Sequence, residues 1–201
     1  MSERIVRRDG PVVVSGWYGI GNSGDEAILS VLVDHLEAMG VRATEVLTQA
    51  PEGVTRRHGG RGVVGIDDCD TYGSEGIRNL LNGRIFAKFR QLRRARAFIF
   101  GGGSILRDNT SRWNMSRLLD DIFICRLFGV PIFFYALGVG PIETRLGRFL
   151  IGLACRFATV ITVRDDRSAA LVQSLGTPAE KITVVTDPAF LLRDTPIEAV
   201  M

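Results

Sequence analysis

The 201-residue sequence predicts an α/β fold, a three-layer sandwich in which a mostly parallel sheet lies between two layers of helices. Three features point there. Short β-branched or aromatic runs alternate with longer amphipathic stretches along the chain. The strand segments are continuously apolar rather than alternating, as strands buried on both faces are. Most strands run into a turn carrying glycine or charge, as at the ligand-bearing edge of an open sheet.

Val12–Val14 make the first strand, and a glycine-studded turn runs from Gly16 to Gly24. The helix Asp25–Met39 follows, with an apolar stripe at Ala27, Ile28, Val31, Leu32 and Leu36 and Gly40 placed as its C-terminal cap. Arg42–Leu47 is the second strand. Pro51–Gly62, rich in glycine and arginine, is expected to be a loop. Val63–Ile66 is a short third strand, and one helix is expected from Ser74 or Glu75 to Arg94, weakened by Gly76 and Gly83. Ala97–Phe100 is a buried strand stopping at Gly101-Gly102-Gly103-Ser104, and a long helix starts near Trp113 and ends at Phe128. Pro131–Leu137 (strand), Arg145–Phe157 (helix), Val160–Val163 (strand), Arg167–Leu175 (helix, closed by Gly176) and Ile182–Val185 (strand) complete the alternation. Residues 1–192 are expected to form one domain, and 193–201 a tail or the start of a linker.

Composition is that of a soluble globular chain, 46% hydrophobic and 23% charged. The longest apolar stretch, Val130–Val139, is about half of the ~20 residues that a membrane span needs. The opening MSERIVRRDG is positive like the start of a signal peptide, but no apolar core or small-residue cleavage site follows. The expected compartment is the cytoplasm. Cys69, Cys125 and Cys155 show no paired spacing, so neither a disulfide framework nor a metal site is expected. The net charge is +3, carried almost entirely by arginine, with Lys88 and Lys181 the only lysines. Arg90, Arg93, Arg94 and Arg96 form a cluster that could attract nucleic acid or a membrane surface, but it reads first as the solvated face of one helix. Without basic-aromatic interleaving, no nucleic-acid partner is expected.

Gly19-x-Gly21-x-x-Gly24 has the dinucleotide-binding spacing in a strand-turn-helix context. Two features oppose a nicotinamide site. The second strand ends in Thr48-Gln49, with no acid for the ribose hydroxyls. Asp25 and Glu26 already occupy the helix N-terminus that a pyrophosphate would need. Ser23-x-x-Glu26 is expected to act as a capping box.

The ligand-bearing ends, in chain order, are Gly16–Gly24, Gly101–Ser111, Gly138–Pro141, Arg164-Asp165 and Asp187-Pro188. All fall on one edge of the sheet, as a single crevice requires. The triple glycine exposes backbone N–H groups to a phosphate, carboxylate or sugar, or else makes a turn that needs positive φ. Arg164 suits bidentate capture of an anion, or a local ion pair with Asp165 or Asp166. Asp187-Pro188 reads first as a helix cap. His35, on the polar face of the first helix, and His58, in the arginine-rich loop, show no partner in the sequence.

Together the segments Ser15–Leu29 (SGWYGIGNSGDEAIL), Gly101–Asp108 (GGGSILRD), Tyr135–Pro141 (YALGVGP), Ile161–Asp165 (ITVRD) and Asp187-Pro188 resemble the polysaccharide pyruvyl transferase family, in family order and over nearly the whole chain. The resemblance implies a Rossmann-like domain like the N-terminal half of a GT-B fold. It also implies transfer of pyruvate from phosphoenolpyruvate, a co-substrate rather than a cofactor, onto two hydroxyls of one sugar as a cyclic ketal. By the same resemblance Arg164 binds phosphoenolpyruvate, and Asn22, Asp25, Ser104 and Asp108 line the acceptor side. Gly101, Gly102, Gly103 and Gly140 are further substrate-binding positions. The implied partners are a glycan or lipid-linked sugar acceptor, a C-terminal domain carrying a catalytic histidine, and peripheral contact with the inner face of the membrane. Arg107 and Leu137 depart from the family pattern, which commonly has glutamine at both places. The chain ends about where the family's first domain hands over, so it is expected to be inactive or nearly so alone. A non-catalytic glycan- or anion-binding module and a GT-B glycosyltransferase domain are the rival functions; a nicotinamide oxidoreductase is opposed by Gln49.

Overall fold

The computed structural model describes residues 9–71, 73–103, 106 and 112–192. Seven strands are found among them: β1 Val12–Ser15, β2 Thr44–Thr48, β3 Val63–Asp67, β4 Ala97–Gly101, β5 Ile132–Leu137, β6 Val160–Val163 and β7 Ile182–Val184. The helices are α1 Ser23–Ala38, α2 Pro51–His58, α3 Gly73–Leu81, α4 Arg84–Arg94, α5 Arg112–Leu127, α6 Arg145–Phe157 and α7 Asp166–Ser174, and a 3-10 turn spans Pro188–Leu191.

The sheet has the order β3-β2-β1-β4-β5-β6-β7, with every neighbouring pair parallel. Strand order therefore reverses between β1 and β4, where the register pairs Ser15 with Phe100. In a doubly wound sheet that reversal is the switch point, and the crevice opens beyond it.

Alternation along β1 divides the core into two layers. Val12 and Val14 pack with Leu29, Leu32, Val33 and Leu36 of α1 and Val54 of α2. Val13 faces the other way, toward Leu92 of α4, Ile122 of α5, Ile151 of α6 and Val172 of α7. Continuous apolar strands are thus covered on both sides, as their composition required.

Three local expectations are corrected. Pro51–Gly62 is not a loop: it holds α2 and a 3-10 turn over Gly59–Arg61. Pro51 sits at the first helical position, where its missing N–H costs nothing, and Val54 and His58, one turn apart, are buried. Burial of that stripe outweighs the poor helix propensity of Gly53. The single helix expected up to Arg94 is two, because Gly83 takes φ +75 between α3 and α4. The cap of α1 is Asn22 rather than Ser23, its side chain accepting from Gly24 N. No described helix is long and apolar enough to cross a membrane.

Candidate functional site

Parallel strands send all their C-terminal ends to one edge. The loops after β1, β4, β5 and β6 and the turn after β7 therefore open together, bringing Asn22, Gly102, Gly140 and Arg164 to the same rim. Ser104, Arg107 and Asp108 lie outside the described residues.

The loop after β1 is pinned by Tyr18. Its hydroxyl donates to the Gly101 carbonyl at 2.5 Å across the switch point, and Thr48 Oγ1 donates to its own carbonyl at 2.6 Å. Full burial, then the neighbouring Asp25, Tyr135 and Glu26, raise the phenol pKa, so Tyr18 stays a neutral donor. Glu26 Oε1 accepts from the Gly19 N–H at 2.6 Å, and Oε2 pairs with Arg57. A carboxylate thus fills the place where a dinucleotide phosphate would lie.

Asp25 is buried at the start of α1, its Oδ2 accepting from Asn22 Nδ2 at 2.6 Å. Burial and Glu26 raise its carboxyl pKa; Arg164 pulls it down and Asp187 adds to the rise. First helix and last strands therefore share one electrostatic neighbourhood.

The triple glycine makes the turn that needs positive φ, +91 at Gly102 and +72 at Gly103. Gly102 N donates to the Tyr135 carbonyl at 3.4 Å, and the Gly103 carbonyl accepts from Gly138 N at 3.1 Å. What excludes side chains is close approach. A Cβ on Gly102 would lie 2.5 Å from Tyr18 Oη, and one on Gly103 would lie 2.5 Å from Asp25 Oδ1. These glycines leave the room that the Tyr18 and Asp25 side chains fill. The Gly140 N–H is committed to the Leu106 carbonyl at 2.8 Å, stitching the loops after β4 and β5 together.

Arg164 leaves β6 with its N–H on the Leu137 carbonyl at 3.2 Å, and its Nη1 pairs with Asp187 Oδ2 at 3.1 Å. Asp165, a candidate local partner for it, caps α7 by accepting from Ser168 N at 2.7 Å. Asp187 does more than cap the closing 3-10 turn, whose Ala189 N donates to it at 3.0 Å: it also holds Arg164. A guanidinium presents its N–H donors in a fixed planar fork, the geometry that a carboxylate or phosphate matches.

Several contributors carry no local sequence signal. His35 does have a partner, Tyr135, whose hydroxyl lies 3.2 Å from Nδ1; burial and Asp187 push that phenol up to about 12. His58 is buried on α2, and burial lowers its pKa. Beneath the ends of β1 and β3, Lys88 Nζ lies 2.8 Å from Asp68 Oδ1 and 2.7 Å from Asp121 Oδ1, while Asp121 Oδ2 accepts from Ser15 Oγ at 3.1 Å. The one available hint was a lysine in a helix otherwise served by arginine.

Comparison with known proteins fixes the fold and the family. The Anabaena protein HepE solved in complex with UDP superposes with a TM-score of 0.57 at 10% identity, over 88% of this chain and 44% of that one. The same protein with UDP-glucose gives 0.53 at 15% identity, over 89% and 44%. A putative UDP-N-acetylglucosamine 2-epimerase from Listeria monocytogenes gives 0.53 at 14%, over 94% and 50%. Identities this low establish the fold alone, a Rossmann-like domain of the GT-B-like kind. The chain spans half or less of the length of these proteins, 44% to 50%. No curated protein sequence matches it. The model of the polysaccharide pyruvyl transferase family matches residues 22–199, from the cap of α1 past the closing turn. The chain belongs to the polysaccharide pyruvyl transferase family.

Proposed function

We propose that this chain is the N-terminal half of a transferase that moves pyruvate from phosphoenolpyruvate to a sugar of a cell-surface glycan precursor, forming a cyclic ketal. The supporting observation is that the Arg164–Asp187 pair and the buried carboxylate of Asp25 stand at the same edge of the sheet, where the closing 3-10 turn packs against α1.

In this reading Arg164, oriented by Asp187, binds the carboxylate or phosphate of phosphoenolpyruvate. Asn22 and Asp25 hold acceptor hydroxyls, with Ser104 and Asp108 assigned to the same side by family resemblance. The chemistry proceeds by addition and then displacement. A general acid protonates the methylene carbon and one sugar hydroxyl adds to C2, losing its proton to a base. The C2–O bond to phosphate then breaks and the second hydroxyl, losing its proton, closes the ring. The products are the ketal and inorganic phosphate. A second Rossmann-like half would supply the remaining catalytic groups, and the work would be done in the cytoplasm, at the inner face of the membrane.

Calorimetric titration of the 201-residue chain with phosphoenolpyruvate and with UDP-glucose tests the proposal. Phosphoenolpyruvate is expected to bind, and Arg164→Ala to weaken it about tenfold or more, as loss of a charge-assisted contact does. Unchanged phosphoenolpyruvate affinity in that variant would remove the assignment. Binding of UDP-glucose instead would favour the glycosyltransferase reading, which the HepE complexes with UDP and UDP-glucose keep in view.

A further inference from the structure

Helix α3 is built inside out. It buries Gly76 and Asn79 and turns Ile77, Leu80 and Leu81 to solvent, 64%, 47% and 81% exposed. Spaced i, i+3 and i+4, these three form one apolar stripe rather than scattered exposures. The orientation is fixed from the polar side. Asn79 Nδ2 donates to the Asp70 carbonyl at 3.0 Å, and its Oδ1 accepts from Arg84 Nη1 at 2.8 Å. Beyond the turn at Gly83, Phe86 is 66% exposed. Arg90 and Arg93 follow it at i+4 and i+7 on the same outward face of α4.

Arginine dominates the charge around this stripe, with Arg78, Arg84 and Arg94 paired to Glu75, Asp67 and Glu45. Six arginines and Lys88 stand between Gly73 and Arg96 against a single acid, Glu75. Lys88 is buried, whereas all six arginines are exposed. Arg84 also fastens the hairpin to Asp67, the last residue of β3, with Nε and Nη2 at 2.9 and 2.6 Å from its carboxylate. The apolar stripe therefore lies by the same sheet edge as the crevice.

We infer that the α3–α4 hairpin docks on an anionic phospholipid surface. Ile77, Leu80, Leu81 and Phe86 enter the boundary between headgroups and acyl chains, and the arginines meet lipid phosphates. A bilayer is apolar below and negative above, which is the order of chemistry that the hairpin presents. A second copy of the chain would instead bring arginine against arginine. The inference rests on the placement at the inner membrane face proposed above and names the surface that makes the contact; it needs no phosphoenolpyruvate. It does put a lipid-linked acceptor on the rim where the crevice opens.

Cosedimentation of the 201-residue chain tests this, with vesicles of phosphatidylcholine alone and with roughly 30% phosphatidylglycerol added. Binding is expected only to the anionic vesicles and should weaken as salt rises. The double variant Leu81→Ser/Phe86→Ser, and separately Arg78→Ser/Arg90→Ser, should each lower partitioning about tenfold with melting unchanged, the arginine pair also flattening the salt dependence. Three results would overturn the inference: no sedimentation with anionic vesicles, equal binding to the neutral ones, or variants that partition like the parent. Self-association abolished by the same substitutions, with no vesicle binding, would also overturn it and make the stripe a contact between copies. Phosphoenolpyruvate titration is indifferent to all of these outcomes, so the two proposals fail separately.

Discussion

Asp25 is held out of water between Asn22, Glu26 and the Gly103 backbone, and its carboxyl pKa is raised chiefly by that burial. A raised value means that the folded protein binds a proton which the unfolded chain releases. Its contribution to stability is therefore fully present below the ordinary carboxylate pKa and is lost as pH rises through the folded value. Asp25→Asn is expected to raise the melting temperature by a few degrees at pH 7 and by less at pH 4, as scanning calorimetry would show. On the role proposed for Asp25, the same substitution should also weaken binding of the acceptor sugar, because the hydroxyl loses its charged partner. The glycines opposite Asp25 offer a second test. Gly103 (φ +72) faces Asp25 Oδ1, whereas Gly21 (φ +84) has nothing near its absent Cβ. Gly21→Ala should cost about 1 kcal/mol, the backbone penalty alone. Gly103→Ala should cost about 2–4 kcal/mol in urea unfolding, because strain and the displaced carboxylate add. Equal costs would mean that Asp25 yields freely.

Lys88, on α4, ties three elements together through Asp68 after β3 and Asp121 on α5, with Ser15 at the end of β1 behind Asp121. Burial alone would lower its pKa, but the Asp121 and Asp68 carboxylates outweigh that and keep it charged. Lys88→Met leaves two carboxylates buried without their cation, so a loss of about 3–5 kcal/mol is expected. The sign of its pH dependence follows. Burial already raises the Asp121 carboxyl pKa, and without the lysine the folded state favours its protonated form more, so the deficit should be smaller at pH 5 than at pH 8 in parallel denaturant titrations. A deficit that does not vary with pH would mean lost packing rather than unpaired charge. None of this was legible in the sequence, because the partners lie 20 and more residues from Lys88. The order of elements was legible, since continuous apolar runs such as Phe98–Phe100 and Ile132–Leu137 suit only strands covered on both faces. Where glycine dominated locally, as in Pro51–Gly62, tertiary burial of Val54 and His58 decided instead.

At the scale of the whole molecule, the crevice draws on both ends of the sheet's winding: Tyr18 and Asp25 near the start, Gly101–Gly103 in the middle, Arg164 and Asp187 near the end. The sequence could place these on one edge because a parallel sheet sends every strand end the same way. It could not pair them. Arg164 with Asp187 and Tyr18 with the Gly101 carbonyl are choices made by three-dimensional packing, including that of the closing 3-10 turn against α1. A site so distributed exists only when the entire sheet is formed, so a ligand bound there should stabilise the whole domain and not one lobe of it. Phosphoenolpyruvate at a hundred times its dissociation constant would contribute about 2.7 kcal/mol, or about 5–10 °C for a domain of this size. A single melting transition that moves upward as one is therefore expected. Arg164→Ala should cut the shift to about half or less at the same ligand concentration while hardly moving the ligand-free melt, because a partly exposed ion pair is worth under about 1 kcal/mol. If the variant melted far below the parent without ligand, Arg164 would be a strut of the fold and its claim on the donor would lapse. If a shift appeared in only part of a split transition, the strand ends would not act as one site.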